Sequence, residues 1–242
     1  MAEIHVGTSG WHYRHWIGPF YPAGMAPREF FPFYARRFSA VEIDSTFYSL
    51  PKAKTLTNWR EIAPPDFVFA CKASRYITHM KKLKDAADTV PAFLDGLSLL
   101  GEKLGPVLFQ LPPHWAVNVE RLESFLEALR PGGRYVFEFR DVTWFKGAVY
   151  RALEEHEAAF CIHDFGGRQS PMAVTAGFVY LRLHGPEEAY RGSYSEEALR
   201  DCANRLLRWR ARGLEVYCFL DNDENGYAAL DAMRLKEMLE AG

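Results

Sequence analysis

The chain has 242 residues, 48% hydrophobic and 25% charged, which is ordinary globular usage and excludes an intrinsically disordered chain. Lys plus Arg is 29 against 31 for Asp plus Glu, so the net charge of -2 supplies no global basic field for nucleic acid, although a local patch stays open. The unusual number is the aromatic content, 15%.

Short β-rich runs recur along the chain and alternate with amphipathic segments. The predicted strands are Ile4–Thr8, Ala40–Asp44, Phe67–Lys72, Val107–Leu111, Tyr135–Arg140, Ala159–Asp164, Phe178–His184 and Glu215–Asn222. The clearest helical patterns are Val90–Lys103, Val119–Leu129, Phe145–Glu155, Ser195–Arg212 and Tyr227–Leu239. Asn118 and Ser195 are suited to cap two of them, and Gly213 to end one. Eight strands, most followed by a helix, indicate parallel βαβ units, and this length matches the roughly 250 residues of a TIM-type (β/α)8 barrel in one domain, residues 1–242. Two irregularities are expected. The connection between the first two strands is long and carries a helix containing Pro32. Residues Phe165–Gly177, between strands 6 and 7, are too few and too Gly-rich for a full helix.

Cys71, Cys161, Cys202 and Cys218 have neither CxxC nor Cys/His zinc spacing and read as reduced thiols, which fits a cytoplasmic location. The N-terminus does not read as a signal peptide, and no stretch approaches the roughly 20 apolar residues of a membrane span.

Alternate residues of a barrel strand face opposite ways, and active sites of this fold lie at the C-terminal mouth. In Val41-Glu42-Ile43-Asp44 the apolar pair and the acidic pair separate onto two faces. Phe137 and Phe139 separate likewise from Glu138 and Arg140, and Leu181 and Leu183 from Arg182 and His184. Lys72, Gln110, Asp164 and Asn222 stand at the ends of four further strands. A salt-bridge network such as Glu42 with Lys72 or Glu138 with Arg182 would explain any single one of these groups. The whole set points to a ligand site, because so many ionisable groups are costly to bury at one end.

Glu42, Asp44, Glu138 and His184 are the candidates for proton transfer. Lys72, Arg140 and Arg182 suit an anion, with Gln110, Asp164 and Asn222 as further binding groups. Asp44, Glu138, Asp164 and His184 are also donors for a divalent ion, but no HxH or HExxH spacing supports a metal, and no other cofactor is called for. Trp11, Tyr13, Tyr48 and Trp144 fall in loops where rings could stack on a base or sugar, or could simply plug the barrel. Arg75–Lys84 is a short basic stretch with interleaved aromatics, a weak pointer to phosphates or nucleic acid. Dinucleotide, P-loop, EF-hand and nucleophile-elbow motifs fail on spacing or context.

Val6-Gly-Thr-Ser-Gly-Trp11, Glu42-Ile-Asp-Ser-Thr-Phe-Tyr48, Phe69-x-x-Lys72, Ile77-Thr-His79, Leu108-Phe-Gln-Leu-Pro-Pro113, Glu138-Phe-Arg140 and Arg182-Leu-His-Gly185 resemble, in order, the YecE-like family, domain of unknown function 72. The resemblance spans nearly the whole chain. It implies a TIM-barrel-like fold and carries no agreed activity or catalytic residues. One departure is visible: Asp221-Asn222 stands where the family typically has Asn-Asn.

The residues support an enzyme performing acid/base chemistry of hydrolase, lyase or isomerase type. Its ligand would be anionic and ring-containing: a phosphorylated sugar, a nucleotide or a nucleic-acid end. A non-catalytic ligand-binding or adaptor barrel is the alternative.

Overall fold

The computed structural model describes residues 2–241. Eight parallel strands run around a barrel: β1 (Ile4–Thr8), β2 (Ala40–Ile43), β3 (Val68–Lys72), β4 (Leu104–Gln110), β5 (Tyr135–Glu138), β6 (Ala159–Phe165), β8 (Phe178–Leu183) and β9 (Glu215–Leu220). The short β7 (Arg168–Gln169) pairs antiparallel with β6 as a hairpin. Among the described residues seven α-helices surround the strands: α1 (Phe30–Ala35), α2 (Ala53–Ile62), α3 (Ala86–Leu97), α4 (Val119–Glu127), α5 (Gly147–Glu155), α6 (Glu196–Ala211) and α7 (Tyr227–Glu240).

Sequence and structure agree on all eight barrel strands, on Pro32 inside α1, and on the absence of a helix between β6 and β8. Asn118 and Ser195 cap as expected, accepting from the backbone N–H of Arg121 at 2.8 Å and Ala198 at 3.1 Å. The helix expected over 90–103 is two pieces. α3 ends at Leu97, and a 3-10 segment follows in which Gly101 takes φ 59°.

β1 and β2 close the barrel through a single bridge, Ser9 to Glu42, with the Gly10 N–H donating to the Glu42 carbonyl at 2.8 Å. Their approach requires a residue without a side chain. A Cβ on Gly7 would stand 2.1 Å from the Ala40 carbonyl oxygen, too close for any other residue without backbone movement.

The core has two parts. Val41, Phe69, Phe109, Phe137, Phe139 and Phe160 are among the buried side chains of the larger part, between strands and helices. The barrel interior is filled unevenly. β2, β3 and β6 contribute Ala40, Ala70 and Ala159, while β8 and β9 contribute Tyr180, Tyr217 and Phe219. Small residues on one wall make room for rings from the other, which is how a narrow barrel fills without voids. The Tyr180 ring also carries the packed interior up to the first polar layer.

Candidate functional site

The inward parity continued to the strand ends brings Glu42, Glu138, Arg182 and His184 together, all fully buried. Arg182 is the centre. Its Nη1 donates to Glu138 Oε2 at 2.8 Å, and its Nη2 to Glu42 Oε1 at 2.7 Å and Asp221 Oδ2 at 3.0 Å. Glu42 is completed by Ser9 Oγ at 2.7 Å and the Tyr180 hydroxyl at 2.6 Å. Glu138 also touches Arg140 Nε. Burial pushes the Glu138 carboxyl up, but Arg140 and then Arg182 overcome it and hold it well below the usual range. Burial likewise works against the Arg182 charge and is outweighed by Glu42 and Glu138.

The state of His184 follows from its neighbours. Nε2 lies 3.0 Å from Arg140 Nη2 and 3.2 Å from Arg182 Nη1. A guanidinium can only donate, so Nε2 presents its lone pair and the proton sits on Nδ1, 2.9 Å from Asp221 Oδ2. Burial, followed by the Arg182 charge, drives its pKa well below 6.5, so the ring is neutral. A lone pair already held by two guanidiniums is a poor general base.

Other groups at the mouth are less committed. Lys72 follows inward-facing Ala70 by two residues at the end of β3 and enters no ion pair or side-chain hydrogen bond among the described residues; its Nζ lies 4.7 Å from the centre of the Phe47 ring. Burial, with Arg182 adding to it, lowers its pKa against the pull of Glu138, Glu42 and Asp221. Asp44 follows β2 and receives a long 3.4 Å bond from the Tyr13 hydroxyl. Burial raises the pKa of Asp44, and Asp221 and Glu42 raise it further. Burial raises that of Asp221 too, against Arg182 and Lys72. Gln110 makes only a marginal 3.5 Å contact with the Leu111 carbonyl.

Two cavities open at the mouth, one lined by Asp44 and the other by Gln110. One, about 600 Å³, is lined by Trp11, Tyr13, Arg28, Asp44 and Trp59. The other, about 500 Å³, has rings from Phe139, Phe145, Phe165 and Tyr190. Gln110, Arg140, Arg168, His114 and His163 add nitrogen groups to it, and no Asp or Glu lines it. Arg140 lies over the Phe165 ring at 4.0 Å, and exposed Arg168 makes no ion pair among the described residues.

Three sequence-predicted residues are not brought to the mouth. Asp164 lies on the helix side of β6, where its carboxylate meets the Tyr194 hydroxyl at 3.3 Å. Asn222 lies on the helix side beyond β9. Its Nδ2 donates to the Gly192 carbonyl at 2.8 Å and to Asp231 Oδ2 at 2.9 Å, tying the loop after β8 to α7. Trp144 is fully buried, stacked on Phe139 at 4.8 Å with Nε1 donating to the Trp115 carbonyl at 2.6 Å, so it packs the wall and is no rim ring. Trp11 is also buried, edge-on to Trp59 at 4.9 Å, though it still lines a cavity. Tyr48 is 75% exposed. Within the basic stretch Lys81 is paired with Asp85 at 2.7 Å.

In the positions expected of Asp164 and Asn222 stand His163 and Asp221, one residue earlier in each strand. Apolar residues occupy both faces of these strands up to their last residues, so hydrophobicity does not mark the inward face. Counting by twos from Cys161 and Phe219 does. The proposed metal donors are dispersed by the same facts: Asp164 points away, and Glu138 is held by two guanidiniums. Among the described residues no group of three or more His, Cys, Asp or Glu is disposed to hold a metal ion.

A family model described as "Protein of unknown function DUF72" matches residues 5–242. The Escherichia coli protein described as UPF0759 protein YecE is 32% identical over 152 residues, 62% of this chain; the match spans about half, 53%, of that relative's length. The Bacillus subtilis UPF0759 protein YunF is 24% identical over 98% of this chain and 95% of its own. A crystal structure of a DUF72 family protein from Thermotoga maritima superposes with a TM-score of 0.89 at 29% identity, covering 98% of this chain and 99% of that one.

Proposed function

This chain belongs to the DUF72 family, a description that assigns no reaction, and from its barrel mouth we propose an enzyme acting on a small anionic, ring-containing molecule. One observation carries the reading. The cavity of about 500 Å³ has four aromatic walls, two arginines and two histidines, and no carboxylate among its lining residues. Aromatic walls suit a planar or sugar ring, and the guanidinium of Arg168, which has no ion pair among the described residues, suits phosphate or carboxylate, with Arg140, already paired to Glu138, as a further donor. Arg140 would contribute the Nη1 that its bonds to Glu138 and His184 leave over, and Arg168 a whole guanidinium.

Proton transfer falls to Asp44, which has no ion pair among the described residues. Glu42, Glu138, Asp221 and His184 are committed to Arg182 and Arg140 or to one another, so their part is to hold the floor. That commitment also favours the second reading, a binding barrel without turnover.

Crystals soaked with a nucleoside monophosphate test the proposal. Density is expected with the phosphate against Arg168 and Arg140 and the ring among Phe139, Phe165 and Tyr190. Density elsewhere on the protein, with this cavity holding only solvent, sinks it.

A further inference from the structure

Lys72 is the inward-facing cation that the network leaves out. Arg182 binds three carboxylates and Arg140 binds Glu138 and His184, whereas Lys72 has no ion pair or side-chain hydrogen bond among the described residues. An amine placed for structure would find a partner, as Lys103 does by donating to the Arg60 and Ala63 carbonyls, each at 2.7 Å. Lys72 instead stands at the C-terminal end of β3, on the strand between the one that leads to Asp44 and the one that ends in Gln110.

We propose that Lys72 is a nucleophile and that the anionic ligand of the mouth carries an aldehyde or ketone, which Lys72 captures as an imine. This rests on the anion-binding reading above and names the reactive group of its ligand. The neutral Nζ adds to the carbonyl carbon, and the C=O π pair moves to oxygen, which takes a proton from the carboxylic acid of Asp44. The carbinolamine nitrogen then returns a proton to the Asp44 carboxylate, which delivers it to the hydroxyl as that leaves as water, so the protonated imine and the Asp44 carboxylate remain. Amine and carbonyl become imine and water, with no oxidant or reductant. A protonated imine would then withdraw electrons from the adjoining carbon, which is the use of such an intermediate in isomerase or lyase chemistry.

The groups facing Lys72 set its protonation. They are Glu42 and Asp44 from β2 and the turn after it, His79 after β3, Glu138 from β5, Arg182 from β8 and Asp221 after β9. Burial and Arg182 lower its pKa, the carboxylates oppose them, and the balance favours the free amine relative to an exposed lysine.

The test uses the full chain and pyridoxal 5′-phosphate, an anionic ring aldehyde, with borohydride reduction and peptide mapping. At pH 7 Lys72 is expected to label at least ~10-fold faster than exposed Lys54 and Lys84 in the same sample. Inorganic phosphate should slow Lys72 alone. Because the reference lysines are internal, no variant has to fold. Binding of 4-deoxypyridoxine 5′-phosphate, which lacks the aldehyde, is measured in parallel on the wild type and on Arg168→Ala. Labelling of Lys72 no faster than of Lys54, with Arg168-dependent binding intact, overturns the nucleophile and leaves the anion site standing. Loss of both labelling and Arg168-dependent binding overturns the two together.

Discussion

The floor of the mouth and its rim are built from the same residue types to opposite ends. In the floor, Glu42 has three donors and Arg182 reaches three carboxylates. On the rim, Lys72 and Arg168 have no ion pair among the described residues, and Asp44 has one long bond. A buried charge whose partners are all protein is structure. A charge left without one next to a cavity is held for a ligand. By this division Glu42, Glu138, Asp221 and His184 belong to the support, and Lys72, Asp44 and Arg168 are the proposed reactive set.

The largest expected effect lies in the floor. Arg182→Met strands two fully buried carboxylates, and urea unfolding should show a loss of about 3–5 kcal/mol or failure to fold. Lys72→Met, which breaks no ion pair, should stay within about 1 kcal/mol of wild type. Equal losses in the two variants would erase the distinction between floor and rim.

Next in size is the response to acid. His184 and His163 are kept neutral by burial, so below about pH 6.5 the unfolded chain takes up protons that the folded one refuses. Stability is full above that pH and falls as pH drops, by up to ~1.4 kcal/mol per unit for each histidine. Glu138, held low by Arg140 and Arg182 despite its burial, adds a further loss below about pH 4.5. Asp44 and Asp221, raised by burial, act the opposite way and offset part of it. Urea midpoints unchanged between pH 7 and 5.5 would contradict a neutral His184.

Asn222→Ala is smaller. It removes two bonds that tie the loop after β8 to α7 and should cost about 1–2 kcal/mol. Ligand affinity should not change; a large drop in affinity would return Asn222 to the site. Asp221→Asn is expected to be smaller again, within about 1 kcal/mol, because the amide oxygen can still accept from Arg182 and His184 while burial no longer works against a charge there.

Much of this was legible in residue order. Strand positions follow from apolar runs between turn residues. The inward faces of β2, β5 and β8 follow from alternation, because Glu42, Glu138 and Arg182 interrupt a hydrophobic sequence at every second position. β6 and β9 carry no such contrast, because both of their faces are apolar up to the strand ends, so Asp164 and Asn222 cannot be told by hydrophobicity from the inward-facing His163 and Asp221 before them. Which carboxylate meets which cation is a matter of three-dimensional distance: Glu42 pairs with Arg182 across the barrel rather than with Lys72 next door. Loop position alone could not separate Trp144, buried against Phe139, from Tyr48, which is open to solvent. Arg168 lies in the hairpin that replaces a helix, a segment with no periodic signal to place it.

The central claim, that rim cations and aromatic walls together receive an anionic ring, is tested most directly by calorimetric titration of nucleoside monophosphates against their parent nucleosides. The phosphorylated compounds should bind at least ~10-fold more tightly, about 1.4 kcal/mol, and Arg168→Ala should remove most of that difference. Equal binding of each pair, or a phosphate preference that survives Arg168→Ala intact, would contradict it.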